Sequence, residues 1–265
     1  MKKIVLLVLV IAALSVVLTA CSGSATPSTA WADEETLEYQ IINNLTKENK
    51  GNMKVVTVRN PFDKTLGGKE YSSADGKVTI DITLEGQSTV HTEILTTKYT
   101  VLATHKVYTD LVDTSKSYEL NAYHSGKNYV YTLNGGEEKK LKTGSSGYTD
   151  SDYIYHYIRC YPLTSPPSSI KVADPINNEV LTVSCSAYAS TDITVPYPDG
   201  SKQAACTGTA VSLSSAPKGK SITVCFTPDS ADYYMNGWSI SPSKKIPVEI
   251  IENDLTYKIT AMSVK

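Results

Sequence analysis

The sequence predicts a mainly-β protein with a single helix near mid-chain, at about residues 150–160. Three observations carry this expectation: apolar side chains recur at every second position, turn-forming residues punctuate the chain at short intervals, and one stretch alone shows a helical period. The clearest strand covers residues 77–84, where Val78, Ile80, Ile82 and Leu84 alternate with Lys77, Thr79, Asp81 and Thr83. Successive side chains of a strand point to opposite faces, so this pattern describes a sheet with one buried side. Leu37, Tyr39 and Ile41 alternate in the same way, and Met53 to Val58 is a β-branched run. Asp75-Gly76 reads as a hairpin turn before the 77–84 strand.

Thr92 to Tyr108 is long enough for one long strand or a pair. Tyr118–Tyr123 and Tyr129–Leu133 read as a hairpin around Ser125-Gly126, and Asn134-Gly135-Gly136 turns the chain again. The helix rests on Ile154, Tyr157, Ile158 and Tyr161, spaced i, i+3, i+4 and i+7. Thr149, Asp150 and Ser151 stand ahead as N-cap types, and Pro162 follows as a stop. Tyr153, Tyr155 and Tyr157 also alternate, so a strand is the competing reading. Strands resume at Val180–Ala187, Ala204–Leu213, Ile222–Phe226, Tyr233–Ile240, Ile246–Ile251 and Leu255–Met262. Pro196 to Gly200 and Ala216 to Gly219 supply turns between them.

The first residues speak of export. Lys2 and Lys3 precede an apolar run from Ile4 to Ala20, closing on Leu18-Thr19-Ala20-Cys21. A basic start, an apolar stretch and small residues before a cut describe a secretory signal, and an uncleaved membrane anchor is the alternative. The Leu-x-Ala-Cys ending resembles the bacterial lipobox. That resemblance implies diacylglyceryl attachment to Cys21, cleavage before it, and an extracytoplasmic protein held to a bacterial membrane by lipid. Each buried CH₂ contributes ~0.8 kcal/mol, so two or three acyl chains anchor firmly. Residues 1–20 are then the signal peptide. Residues 21–30 are the lipidated cysteine and a small, polar tether, with a reach of roughly 16 Å. Residues 31–265 form one β-rich domain. Without Lys2 and Lys3, 23 basic and 27 acidic residues leave a net charge of −4, which gives no electrostatic footprint for nucleic acid.

Catalytic constellations are not legible. His91, His105, His124 and His156 form no close pair, and Cys160, Cys185, Cys206 and Cys225 contain no Cys-x-x-Cys. Gly219-Lys220-Ser221 looks like the end of a phosphate loop, but Ser214 stands where its first glycine must be. The reading is therefore a protein that is not an enzyme and that needs no metal or cofactor. Hairpin geometry offers a Cys206–Cys225 disulfide, centred at 215.5 within a predicted turn. Cys185–Cys206 and buried free thiols are the alternatives. The compositional oddity is 18 Tyr against 2 Phe and 2 Trp. Tyrosine combines an apolar ring with a hydrogen-bonding tip. Ile80, Ile82, Leu84, Tyr129, Tyr131, Tyr157, Tyr234 and Trp238 are thus the candidates to line a groove for a lipid or other hydrophobic small molecule. The competing reading is ordinary sheet surface on a structural protein that binds another envelope protein.

Several short motifs carry a family resemblance. Glu38-Tyr39-x-Ile41 lies near the start, and Tyr157-Ile158-Arg159 ends the helix. In the second half come Ile193-Thr194-Val195-Pro196, Tyr233-Tyr234, Gly237-Trp238 and Ile246-Pro247-Val248-Glu249-Ile250 before the last strand. Together they resemble a widespread group of uncharacterised exported bacterial proteins, distantly similar to the Lol-type lipoprotein carriers. The resemblance implies a strongly curved antiparallel sheet, an unclosed half-barrel, with a helix against its concave face.

Overall fold

The computed structural model of the protein describes residues 32–143, 149–162, 167–196, 203–215, 220–227, 234–235, 238–239 and 245–265. Residues 1–31, on which the expected signal peptide, Cys21 lipidation and tether fall, lie outside them, as do the turns expected at 197–200 and 216–219. The N-terminal half supplies β1 (Glu34–Asn43), β2 (Asn49–Arg59), β3 (Thr65–Leu66), β4 (Lys69–Glu70), β5 (Gly76–Leu84), β6 (Ser88–Thr97), β7 (Thr100–Asp110), β8 (Tyr118–Ser125), β9 (Asn128–Leu133) and β10 (Lys139–Lys142). Then come β11 (Thr149–Asp150) and a helix, α1 (Ile154–Arg159). The second half supplies β12 (Ser169–Asp174), β13 (Glu179–Pro196), β14 (Gln203–Ser215), β15 (Lys220–Phe226), β16 (Tyr234–Met235), β17 (Trp238–Ser239), β18 (Pro247–Glu252) and β19 (Leu255–Val264).

Among the described residues, fifteen of these strands form one sheet in the order β10-β9-β8-β7-β6-β5-β2-β1-β19-β18-β15-β14-β13-β12-β11. The first and last strands lie side by side at its middle, with Leu37 opposite Met262 and Ile41 opposite Tyr257. Each half of the chain then extends the sheet in its own direction. Every pairing is antiparallel except that of β11 with β12, where Thr149 faces Val172. The expected mainly-β, strongly curved and unclosed antiparallel sheet with one helix is the architecture found.

Alternation explains the curvature. One face carries Leu37, Tyr39 and Ile41 of β1, Met53 and Val55 of β2, and Val78 and Ile80 of β5. Val224, Phe226, Val248, Ile250 and Ile259 continue it on the far strands, and α1 packs onto this concave side through Ile154, Tyr157 and Ile158. The two ends of the sheet overlap. Leu120, Ala122, Tyr129, Tyr131 and Leu141 of β8–β10 cluster with Ala173 and Val180, on β12 and β13. Side chains rather than ladder hydrogen bonds therefore close the roll. On the outside, the β3–β4 hairpin covers Leu95 and Ala103 with Leu66 and Ala74.

One rim gathers the turns at 44–48, 85–87, 111–117 and 253–254. Asn44 N–H donates to the Asp254 carbonyl (2.7 Å), and Glu85 N–H to that of Lys50 (2.8 Å). Leu111 N–H donates to Gln87 (2.8 Å). The opposite rim holds the paired chain ends, where Lys265 N–H donates to the Glu34 carbonyl (2.9 Å).

Three local expectations are corrected. The helix starts later than 150, because Thr149-Asp150 pairs as β11 and Tyr153 caps α1 without a side-chain hydrogen bond. The Asp150 carboxylate instead accepts the Asp152 N–H (3.1 Å), a local turn that competes with helix. Asp75-Gly76 does not join two ladder neighbours, since β4 belongs to a separate hairpin; Asp75 accepts the Lys98 N–H (2.7 Å) instead. The β14–β15 ladder sets Cys225 opposite Ala210, four residues from Cys206 and about 13 Å along the strand. That separation exceeds what a disulfide spans, and the Cys225 thiol is free. Cys185 faces Leu213 rather than Cys206, and it too is a free thiol.

Candidate functional site

α1 is only six residues long and sits toward the rim that holds the chain ends, tied there by Arg159. The Arg159 guanidinium donates twice to the Glu35 carboxylate, from Nη1 to Oε1 (2.6 Å) and from Nη2 to Oε2 (3.1 Å), with both side chains fully buried. So short a helix leaves the concave face uncovered toward the turn rim. A cavity of about 320 Å³ opens there between β7–β8 on one side and β12–β13 on the other. Its apolar wall includes Leu120, Ile154, Val172, Leu181, Leu213 and Ile222. Its polar rim brings together Lys106, Asp150, Asp152, Asp174 and Glu252.

The charges of that rim are arranged. Lys106 Nζ reaches Asp152 Oδ2 at 2.7 Å, and the Thr92 hydroxyl donates to the same oxygen at 2.8 Å. Burial works against the Lys106 charge, but Asp152 and Asp150 outweigh it and hold the ammonium above the usual lysine range. Burial likewise opposes ionisation of Asp152, and Lys106 overcomes it, so that carboxyl lies below its ordinary value. Asp150, farther from compensation, is pushed up to about 6, first by burial and then by the Asp152 charge. The rim thus carries one cation and an excess of carboxylates.

Behind it lies an inner cavity of about 140 Å³ between α1 and strands β1, β2, β5 and β18. Met53, Val55, Ile80 and Ile82 form its apolar wall, and His156 its ceiling from α1. Asp152, Tyr155 and Glu252 line both cavities. At this neck the Tyr155 hydroxyl donates to Glu252 Oε2 over 3.3 Å. His156 is buried, and burial together with the Arg159 charge pushes it down to about 3, so the ring is neutral.

The sequence-derived lining residues divide. Ile80 and Ile82 line the inner cavity, and Leu84 packs against the same core beside them. Tyr157 faces that core, its hydroxyl 2.9 Å from that of Tyr161. Tyr129 and Tyr131 line neither of these cavities: they pack in the seam between the overlapping sheet ends, where the Tyr131 hydroxyl donates to Asn178 (2.9 Å), and Tyr131 borders a separate cavity beside Leu66 and Tyr123. Tyr234 and Trp238 lie on the separate β16–β17 ladder, and their side chains fall outside the described residues. Sequence reading missed Lys106, Asp150, Asp152, His156 and Glu252, whereas Tyr155 was among the tyrosines expected to line a groove. Strand parity gave no signal for Lys106, because the ladder slips between Leu95 and Thr96.

The free thiols of Cys185 and Cys225 are pushed up to about 11 by burial and so stay protonated. Among the described residues, no group of three or more His, Cys, Asp or Glu stands close enough to hold a metal. No described helix is long and apolar enough to cross a membrane.

No family model matches the chain, and no curated protein matches it. Among solved structures, the chain is similar to a β-barrel-like protein of the domain of unknown function DUF1849 from Brucella abortus. The TM-score is 0.51 at 8% identity, over 89% of this chain and 99% of that one. Identity that low carries the fold and nothing further.

Proposed function

We propose that the chain is a bacterial lipoprotein, anchored outside the cytoplasm by lipid on Cys21, whose β-roll binds an amphiphilic ligand through its turn rim. In this reading it is a distant relative of the Lol-type carriers. The observation that carries the reading is the cavity of about 320 Å³, apolar on its wall and charged on its rim. Protein interiors pack densely, and an unfilled space of this size with a few convergent polar groups is what small-molecule sites look like. The acidic excess of the rim favours a ligand whose head is an amine. Its alkyl portion would lie on Leu181, Leu213 and Ile222.

Mass spectrometry of natively extracted protein tests both halves. The expected result is diacylglyceryl on Cys21 and a co-purified amphiphile; an unmodified Cys21 with residues 1–20 attached overturns the anchor. Calorimetric titration of delipidated protein with dodecylamine tests the cavity. Leu181→Trp should fill it and abolish binding, and a wild-type protein that binds no alkylamine defeats the reading.

A second reading is an envelope protein that docks on the same rim. Leu45, Leu111, Val112 and Ile176 expose large apolar side chains on the turns there, Leu45 at 82% and Val112 at 78%. Site-specific crosslinking from Val112 in whole cells would report such a partner.

A further inference from the structure

We infer that the inner cavity receives the far end of that amphiphile and selects an uncharged hydroxyl or primary amide there, with His156 as its hydrogen-bond partner. The inference rests on the amphiphile reading and adds a second polar requirement to it. His156 is 2% exposed, and its Nδ1 is buried without a hydrogen-bond partner. Its ring stacks on Tyr153, with centroids 6.0 Å apart and planes inclined by 17°, and it lines the inner cavity. Two neighbouring hydroxyls are committed elsewhere: that of Tyr39 donates to the Pro247 carbonyl (2.6 Å), and that of Tyr155 to Glu252. The facing wall of Met53, Val55, Ile80 and Ile82 offers the ring nothing to bond.

A buried polar group without a partner is costly, and native structures keep few of them. The chemistry of the missing partner follows from the ring and the wall. Neutral imidazole donates from one nitrogen and accepts at the other. A hydroxyl or primary amide also does both, so it satisfies either tautomer. An anion would lose its hydration against these apolar side chains and meet the Asp152 and Glu252 carboxylates, while the amine of the amphiphile is already held at the rim, so an uncharged end suits the neutral ring. Access runs through the neck shared by the two cavities. The 3.3 Å Tyr155–Glu252 hydrogen bond there is long for O–H···O, and an alkyl chain passes by displacing it.

The experiment compares dodecylamine with 12-amino-1-dodecanol by calorimetric titration of the delipidated full chain. The charged amine stays at the rim, so the two probes differ only at the inner end. Wild-type protein should bind the amino alcohol about tenfold more tightly. His156→Leu should bind the two probes with equal affinity, losing the discrimination between them. Equal affinities in the wild type overturn the inference and leave the amphiphile reading standing, since water then serves His156 as well as a ligand does. Binding of neither probe overturns both. Should His156→Leu fail to fold, the ring ¹⁵N shifts of His156 in the wild type decide: they should move with the amino alcohol and not with dodecylamine. Identical shifts with the two probes count against the inference.

Discussion

Replacing Glu35 by Gln removes the charge that faces Arg159 while keeping the shape of the side chain. The pair is bidentate, at 2.6 and 3.1 Å, and neither side chain has measurable exposure. Solvent cannot screen the guanidinium once its counter-charge is gone, and β1 supplies that charge from 124 residues away in sequence. Breaking one side of such a buried pair costs about 3–5 kcal/mol, against ~0–1 kcal/mol for an exposed one. A domain this size is stable by roughly 5–15 kcal/mol, so the variant forfeits a large part of its margin. Thermal midpoints should fall by about 6–20 °C. Urea unfolding at neutral pH, followed by far-ultraviolet circular dichroism, measures it. Arg159→Met should be comparably damaging, because it leaves the Glu35 carboxylate buried in turn. The double variant Glu35→Leu/Arg159→Met should be much milder than the two singles together, since no charge remains uncompensated. A loss under about 1 kcal/mol in Glu35→Gln, or plain additivity in the double variant, would refute the argument that this pair fastens α1 to the sheet.

Two further predictions concern pH and one concerns backbone space. His156 sits near 3 in the folded chain against 6.5 when unfolded, so between those values the unfolded chain takes up a proton that the folded one refuses. Stability should therefore fall as pH drops below 6.5, by about 2 kcal/mol at pH 5 from this group, and His156→Phe should lose that dependence; matching urea midpoints at pH 7 and 5 check it. Asp150 has the opposite sign: its folded value of about 6 exceeds 3.8, so the stability it lends below pH 4 is lost as pH rises to 6. Asp150→Asn should consequently gain on the wild type at pH 7.5 relative to pH 4.5, on the order of 2 kcal/mol, read from thermal midpoints at the two values. Gly51 adopts φ +149°, and a Cβ there would stand 1.8 Å from the Thr83 carbonyl oxygen, so Gly51→Ala should cost about 3 kcal/mol or more. A soluble, equally stable alanine variant would contradict the β2–β5 register.

What the sequence disclosed and what it hid divide along one physical line. Residues 78–84 were legible because β5 has one covered face, and a period of two is the direct imprint of that asymmetry. The same logic fails where both faces are covered. Tyr129, Val130 and Tyr131 are all buried, so alternation there could not tell a seam from a groove. On α1, Ile154 and His156 through Arg159 are buried, because a helix inside a roll has no solvent side. An amphipathic reading finds Ile154, Tyr157 and Ile158 and assigns His156 and Arg159 to water. Lys106 was masked differently: the ladder slips between Leu95 and Thr96, so strand parity counted from Thr92 to Tyr108 loses its phase. The cysteine pairing failed for the same reason, since a turn two residues later than supposed moves every opposite partner by four. Periodicity records which side chains leave water, and it is silent about which polar groups then meet. Glu35 with Arg159, and Lys106 with Asp152, are separated by 124 and 46 residues, so only the folded chain defines them. A polar side chain with no such partner, as at His156, is then the feature that burial patterns alone would misplace.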